Sequence, residues 1–104
     1  MAKGYWIAHV DVTDPDAYRE YVAANAKAFA RFGARFIVRG GEFDSPEGKC
    51  RSRHVVLEFP SLEAARACYE SPEYAHAKSL RRAASEADII IAAGYDGPQP
   101  GDAR

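Results

Sequence analysis

Cysteine is scarce: Cys50 and Cys68 are the two thiols in a chain of 104 residues, and they form no CxxC pair and no disulfide framework. Both read as reduced thiols, the pattern of an intracellular protein rather than a small secreted one. Charge of one sign is missing too. Lysine plus arginine total 14 against 15 acidic residues, a net charge of -1, so nothing in the balance points to a nucleic-acid or anionic-membrane partner. No apolar run approaches the roughly 20 residues of a membrane span. The opening MAKGYWIAHVDV is interrupted by His9 and Asp11 too early for a signal peptide. No GxSxG, phosphate-loop or dinucleotide fingerprint is present, and Gly40-Gly41 does not stand in for one. His9, His54 and His76 are scattered without a sequence-close carboxylate or cysteine partner, which gives no zinc-ligand spacing. These absences lead to the expectation of a soluble cytoplasmic protein with no nucleic-acid or membrane partner and no cofactor.

What is present is a run of well-punctuated elements. A 47% hydrophobic composition over this length predicts one domain, 1–97, with a core small enough that a dimer interface would add appreciably to stability. The proline- and glycine-rich end predicts a frayed tail over 98–104. Tyr5 to Val12 alternates as a strand, with Trp6, Ala8, Val10 and Val12 on one face and Tyr5, Ile7, His9 and Asp11 on the other. Asp14-Pro15 opens a helix that Gly33 closes, striped by Tyr18, Tyr21, Val22, Phe29 and Phe32 with Asn25 inside the stripe. Arg35 to Phe43 reads as a second strand disturbed at Gly40-Gly41, and Asp44 to Cys50 as a hairpin loop. From Arg53 the strand RHVVLEF runs into Pro60-Ser61, the cap of a short helix; Ser71-Pro72 breaks it and starts another through LRRAASEA; and Ala87 to Ala93 is a closing strand. The basic groups Lys49, Arg51, Arg53 and Lys78, Arg81, Arg82 have acids nearby and read as solvated faces.

The order strand, helix, strand, strand, helix pair, strand predicts an α+β ferredoxin-like sandwich: a four-stranded antiparallel sheet in the order 4-1-3-2 with helices on one face. Parity puts Phe36 and Val38 opposite Arg35, Ile37 and Arg39 on the second strand, and Val55, Leu57 and Phe59 opposite His54, Val56 and Glu58 on the third. The sheet face without helices is too apolar to leave in water, so a homodimer with two sheets facing each other is expected.

The segments GYWIAHVDVTDPDAYREY, RFIVRGG, EFPSLEAA, YESPEY and LRRAASEADIIIAAGYDG together resemble domain-of-unknown-function family 1330. The resemblance spans about Ala2 to Gly97 and implies a dimeric α+β barrel. That superfamily includes cofactor-free quinone-forming monooxygenases, muconolactone-type isomerases and haem-degrading enzymes, but the resemblance supplies no catalytic residues, and function at that level is analogy.

His9, Arg39 and Glu58, with Arg35 and His54, are expected on one side of the sheet. There Arg39 and Glu58 would pair, His9 would exchange a proton near neutral pH and Arg39 would hold an anionic or enolic oxygen. The same residues also fit a structural network or a dimer contact. Tyr18, Asn25, Tyr69 and Tyr74 suggest a ring-lined cleft between helices and sheet, suited to a flat aromatic ligand; tyrosines filling the core with their hydroxyls reaching solvent are the alternative. The resemblance implies a candidate axial haem ligand in His76 on the third helix, a role helix histidines play in the haem-degrading branch. The first strand, however, lacks that branch's asparagine and Trp6 lies on the first strand instead of in the second half, so haem is disfavoured and a surface histidine expected. Two functions stay open: a cofactor-independent monooxygenase-like or isomerase-like enzyme, and a non-catalytic ligand-binding or regulatory homodimer.

Overall fold

The computed structural model describes residues 2–102. Along them run β1 (Gly4–Val12), α1 (Pro15–Arg31), β2 (Arg35–Arg39), β3 (Arg53–Phe59), α2 (Leu62–Glu70), α3 (Pro72–Ala84) and β4 (Ser85–Ala93). The strands form an antiparallel sheet in the order β2-β3-β1-β4, the expected 4-1-3-2 read from the other edge.

The caps act as the sequence predicts. Asp14 Oδ1 accepts the Ala17 amide at 3.1 Å ahead of Pro15, and Ser61 Oγ accepts the Ala64 amide at 3.0 Å. Ser71 closes α2 by donating its hydroxyl to the Cys68 carbonyl at 2.7 Å and opens α3 by accepting the Tyr74 amide at 3.2 Å. Gly33, at φ 72°, takes the left-handed turn after α1.

Two boundaries differ from the sequence reading. The last helix stops at Ala84 instead of continuing through Ala87, because the amides of Thr13 and Asp14 take the Ala84 carbonyl at 2.8 and 3.1 Å. Ser85 to Ala87 then pair with the end of β1. The second strand ends at Arg39, not Phe43, since Gly40 turns at φ 63° and donates its amide to the His54 carbonyl at 2.8 Å. Residues 40–50 form an exposed loop whose return is fixed by Arg51, bonded to Asp11 at 2.8 Å and Asp88 at 2.9 Å. The predicted tail falls partly outside the described residues; 98–102 are neither helix nor strand.

Cross-strand register sorts the sheet into rows. Ile91, Trp6, Leu57 and Phe36 make one row under the helices; Ile89, Ala8, Val55 and Arg39 make the next; Ala87, Val10 and Arg53 follow. Trp6, 2% exposed, is the centre of the core. Its ring meets Phe29, Phe59, Tyr69 and Tyr74 at centroid distances of 5.0–5.6 Å, and its indole N–H donates to the Ala65 carbonyl at 2.8 Å. A buried Trp satisfied in this way fixes the helix layer on the sheet as well as filling it.

Candidate functional site

Between α1, α3 and the sheet lies a cleft walled by Trp6, Ala8, Val10, Tyr18, Tyr21, Val22, Phe29, Phe36, Val55, Leu57 and Ile89. Asn25 and three arginines, Arg39, Arg53 and Arg81, supply its polar groups. The enclosed space is about 30 Å³, room for about two waters. Its outer wall is the edge strand β2, where Phe36 is 36% exposed and Arg39 also exposed.

The floor is a polar chain. Arg81 Nε donates to the Tyr74 hydroxyl at 3.3 Å, and the Tyr74 and Tyr21 hydroxyls share a hydrogen bond at 2.8 Å. Burial, then the neighbouring Tyr74 hydroxyl, pushes Tyr21 far above the usual phenol range, although Asn25 acts on it in the opposite sense. Burial likewise raises Tyr74 despite Tyr21 and Arg81. Both hydroxyls therefore stay protonated at neutral pH and are not bases; the Tyr74 oxygen accepts from Arg81, and one hydroxyl of the pair donates to the other. The lining contains no histidine, cysteine or carboxylate.

Arg53 reaches the cleft because of a glycine. A Cβ on Gly40 would overlap the Arg53 guanidinium, and the positive φ of Gly40 independently favours glycine. The guanidinium lies 5.6 Å from the Tyr18 ring centre, with Nε buried and unpartnered. Arg39 stacks on Phe36 at 4.0 Å.

The opposite, open face carries a different set. His9 and His54 face each other across β1 and β3, Nδ1 to Nδ1 at 2.8 Å, so one ring donates and the other accepts. Phe43 packs edge-on against His54 at 4.4 Å. Around the pair, Asp11, Lys49, Cys50, Arg51 and Asp88 rim a shallow recess of about 500 Å³.

The expected grouping of His9, Arg39 and Glu58 is thus divided between two faces. A bulge at Ile37 inserts one residue between the pairs Phe36–Leu57 and Val38–Val56, and the parity of the strand reverses. Arg39 joins Phe36 on the helix side, and the expected Arg39–Glu58 ion pair does not form. Glu58 instead pairs with Arg35 at 3.2 Å and accepts from the Tyr5 hydroxyl at 2.9 Å. That carboxylate, the first cause acting on Tyr5, raises its hydroxyl above the usual phenol range.

Of the aromatic set, Tyr18 and Asn25 line the cleft, while Tyr74 is 0% exposed and contributes its hydroxyl to the polar chain. Tyr69 lies under Lys78, 4.1 Å from Nζ, and lines a separate recess by β4. The readings of Arg53 and Arg81 as members of solvated faces are corrected: Arg81 is 6% exposed and both line the cleft. Spacing gave a usable hint for Arg81, which lies seven residues after Tyr74 on one face of α3. Nothing local marked Arg53. His76 is exposed on α3.

Residues 3–95 match the model of a domain of unknown function, DUF1330. The chain belongs to the DUF1330 family. No curated protein matches this DUF1330 chain. Among solved structures, it is similar to RPA0582, a protein of unknown function from Rhodopseudomonas palustris, at 18% identity and TM-score 0.71, covering 95% of this chain and 85% of that one. It is also similar to SnoaB, a cofactor-independent oxygenase from Streptomyces nogalater, at 15% identity and TM-score 0.62, covering 97% and 98%. A Bacteroides thetaiotaomicron protein described as a possible oxidoreductase matches at 13% identity and TM-score 0.52, covering 88% and 97%. At these identities the likeness establishes the fold, a four-stranded antiparallel α+β sandwich. Among the described residues of this DUF1330 member, no helix is long and apolar enough to cross a membrane.

Proposed function

We propose that the cleft between α1, α3 and the sheet binds a small aromatic or enolic molecule, within a homodimer formed through the open sheet face. The observation that carries this reading is the convergence of the Asn25 amide, the Tyr18 and Tyr21 rings and guanidinium groups on one apolar-walled opening. Pockets with an apolar wall and a few convergent polar groups are the usual form of a small-molecule site.

The chemistry such a site offers is hydrogen-bond donation and positive charge. An enolate oxygen would be stabilised by Arg39 or Arg53, whereas no side chain of the lining is suited to taking a proton at neutral pH. Binding without turnover fits this set directly. The enzymatic alternative, a monooxygenase-like or isomerase-like reaction without a cofactor, suits substrates acidic enough to lose their proton to water or to one another. The likeness to SnoaB makes oxygen consumption the reaction to assay first. In this arrangement His9 and Glu58 belong to the subunit interface, with Tyr18, Asn25 and Tyr74 serving the ligand.

Support for the dimer comes from the open face. The row Ile90, Ile7, Val56 and Val38 crosses all four strands on that side, with Ile90 56% and Val38 42% exposed. Contiguous apolar area of this kind marks an interface. Native mass spectrometry of untagged protein, followed by denaturing release, reads both proposals together. The expected result is a dimer carrying a small organic molecule, and a ligand-free monomer that stays inert toward aromatic acids and enols would overturn them.

A further inference from the structure

We propose that the cleft selects an anion: an aromatic carboxylate whose charged group sits among Arg39, Arg53 and Arg81. This rests on the cleft reading above and adds the charge of the ligand.

Four other arginines, Arg19, Arg31, Arg35 and Arg51, have carboxylate partners. The three that line the cleft have none among the described residues, and no acidic side chain lines it. Arg81 is 6% exposed, and its hydrogen bond goes to a neutral tyrosine hydroxyl. Arg53 Nε is buried without any partner. A guanidinium cannot shed its proton at physiological pH, so its burial without a counter-charge is unfavourable until an anion arrives. The net charge of -1 makes the concentration of three unpaired cations in one opening a local feature, not a consequence of a basic chain.

The geometry suits a planar acid. Arg39 and Arg53 each approach an aromatic ring, Phe36 at 4.0 Å and Tyr18 at 5.6 Å. A guanidinium resting on a ring keeps its in-plane N–H groups available for the two oxygens of a carboxylate. Trp6, Phe29 and Leu57 offer the apolar wall for the ring of the same molecule. Register places Arg39 and Arg53 in adjacent rows of the sheet, both beneath the helix layer from which Arg81 descends.

The test is an NMR titration of the full chain with 4-hydroxybenzoate and its neutral counterpart 4-hydroxybenzamide at low ionic strength. It is read on the Trp6 indole N–H and the Asn25 side-chain amide. The acid is expected to bind about tenfold or more tightly than the amide. Arg53→Gln should remove that preference by weakening the acid far more than the amide, and Arg39→Gln, at an exposed edge position, should act in the same direction without threatening the fold. Gly40→Ala provides a further check, since it displaces Arg53 without deleting its charge. Equal binding of acid and amide would overturn the anion inference and leave the cleft reading standing. Arginine variants that weaken both probes alike would overturn it too, by giving the arginines a shape role. If neither probe moves the two reporter signals, the cleft reading fails and this inference with it.

Discussion

Cys68 is 0% exposed on α2, and burial, with a smaller contribution from Glu73, pushes its thiol up to about 12 from 9.0. The unfolded chain therefore releases this proton at a lower pH than the folded protein does. Between about 9 and 12 the unfolded state binds fewer protons, so stability falls as pH rises through that window and is unaffected by this group below it. Cys50 is exposed. A thiol reagent at pH 8 should label one cysteine quickly in the native protein and the second only on unfolding; rapid labelling of both would mean that the α2 packing is looser than described. At this same scale, the sequence was least legible for long cations. Arginine stems are apolar and flexible, so their direction is decided by distant neighbours. Gly40 makes room for Arg53, an effect no local pattern shows, whereas the seven-residue spacing from Tyr74, which receives Arg81, was the one hint available. Asn25 and Tyr18 were easier, because a helical stripe fixes their direction by spacing alone.

Elements were more legible because their ends carry chemistry. Ser71 is the best case: one buried hydroxyl terminates α2 and begins α3. Ser71→Ala should cost about 1–2 kcal/mol of unfolding free energy in a urea titration, by loss of the cap and of a buried hydrogen bond. Loss of only a few tenths would show that the α2–α3 corner is held by packing. Gly4 is a second element-scale constraint. A Cβ there would strike the backbone at Ser61 and Leu62, where the start of β1 passes beneath the start of α2. Gly4→Ala should accordingly destabilise by about 1–3 kcal/mol, and an unchanged denaturation midpoint would contradict that close approach. The strand that misled was β2. Phe36, Ile37 and Val38 are interchangeable as strand formers, so alternation gave no sign that Ile37 is the bulged residue. That single insertion separates Arg39 from His9 and Glu58.

For the whole molecule, the order of caps, breaks and strands was enough to specify the α+β topology and the sheet order, since few arrangements of these elements obey the connection rules. The cleft was legible as a location but not as a charge. The dimer proposal belongs to this scale. Val56 lies in the apolar row beside Ile7, so Val56→Lys should convert the dimer to a monomer in sedimentation velocity, while a monomeric parent protein would contradict the proposal outright. Because Val56 points away from the helices, that variant should keep its affinity for ligands in the cleft.

The division between the two faces of the sheet is open to one direct measurement. The chain has one tryptophan and three histidines, so the Trp6 indole, the Asn25 amide and the His9 and His54 imidazoles can be followed together by NMR as 4-hydroxybenzoate is added. Ligand in the helix-side cleft should shift Trp6 and Asn25 and leave the two imidazoles in place. Shifts at His9 and His54 with Trp6 and Asn25 unmoved would put the binding site on the open face and contradict the central claim.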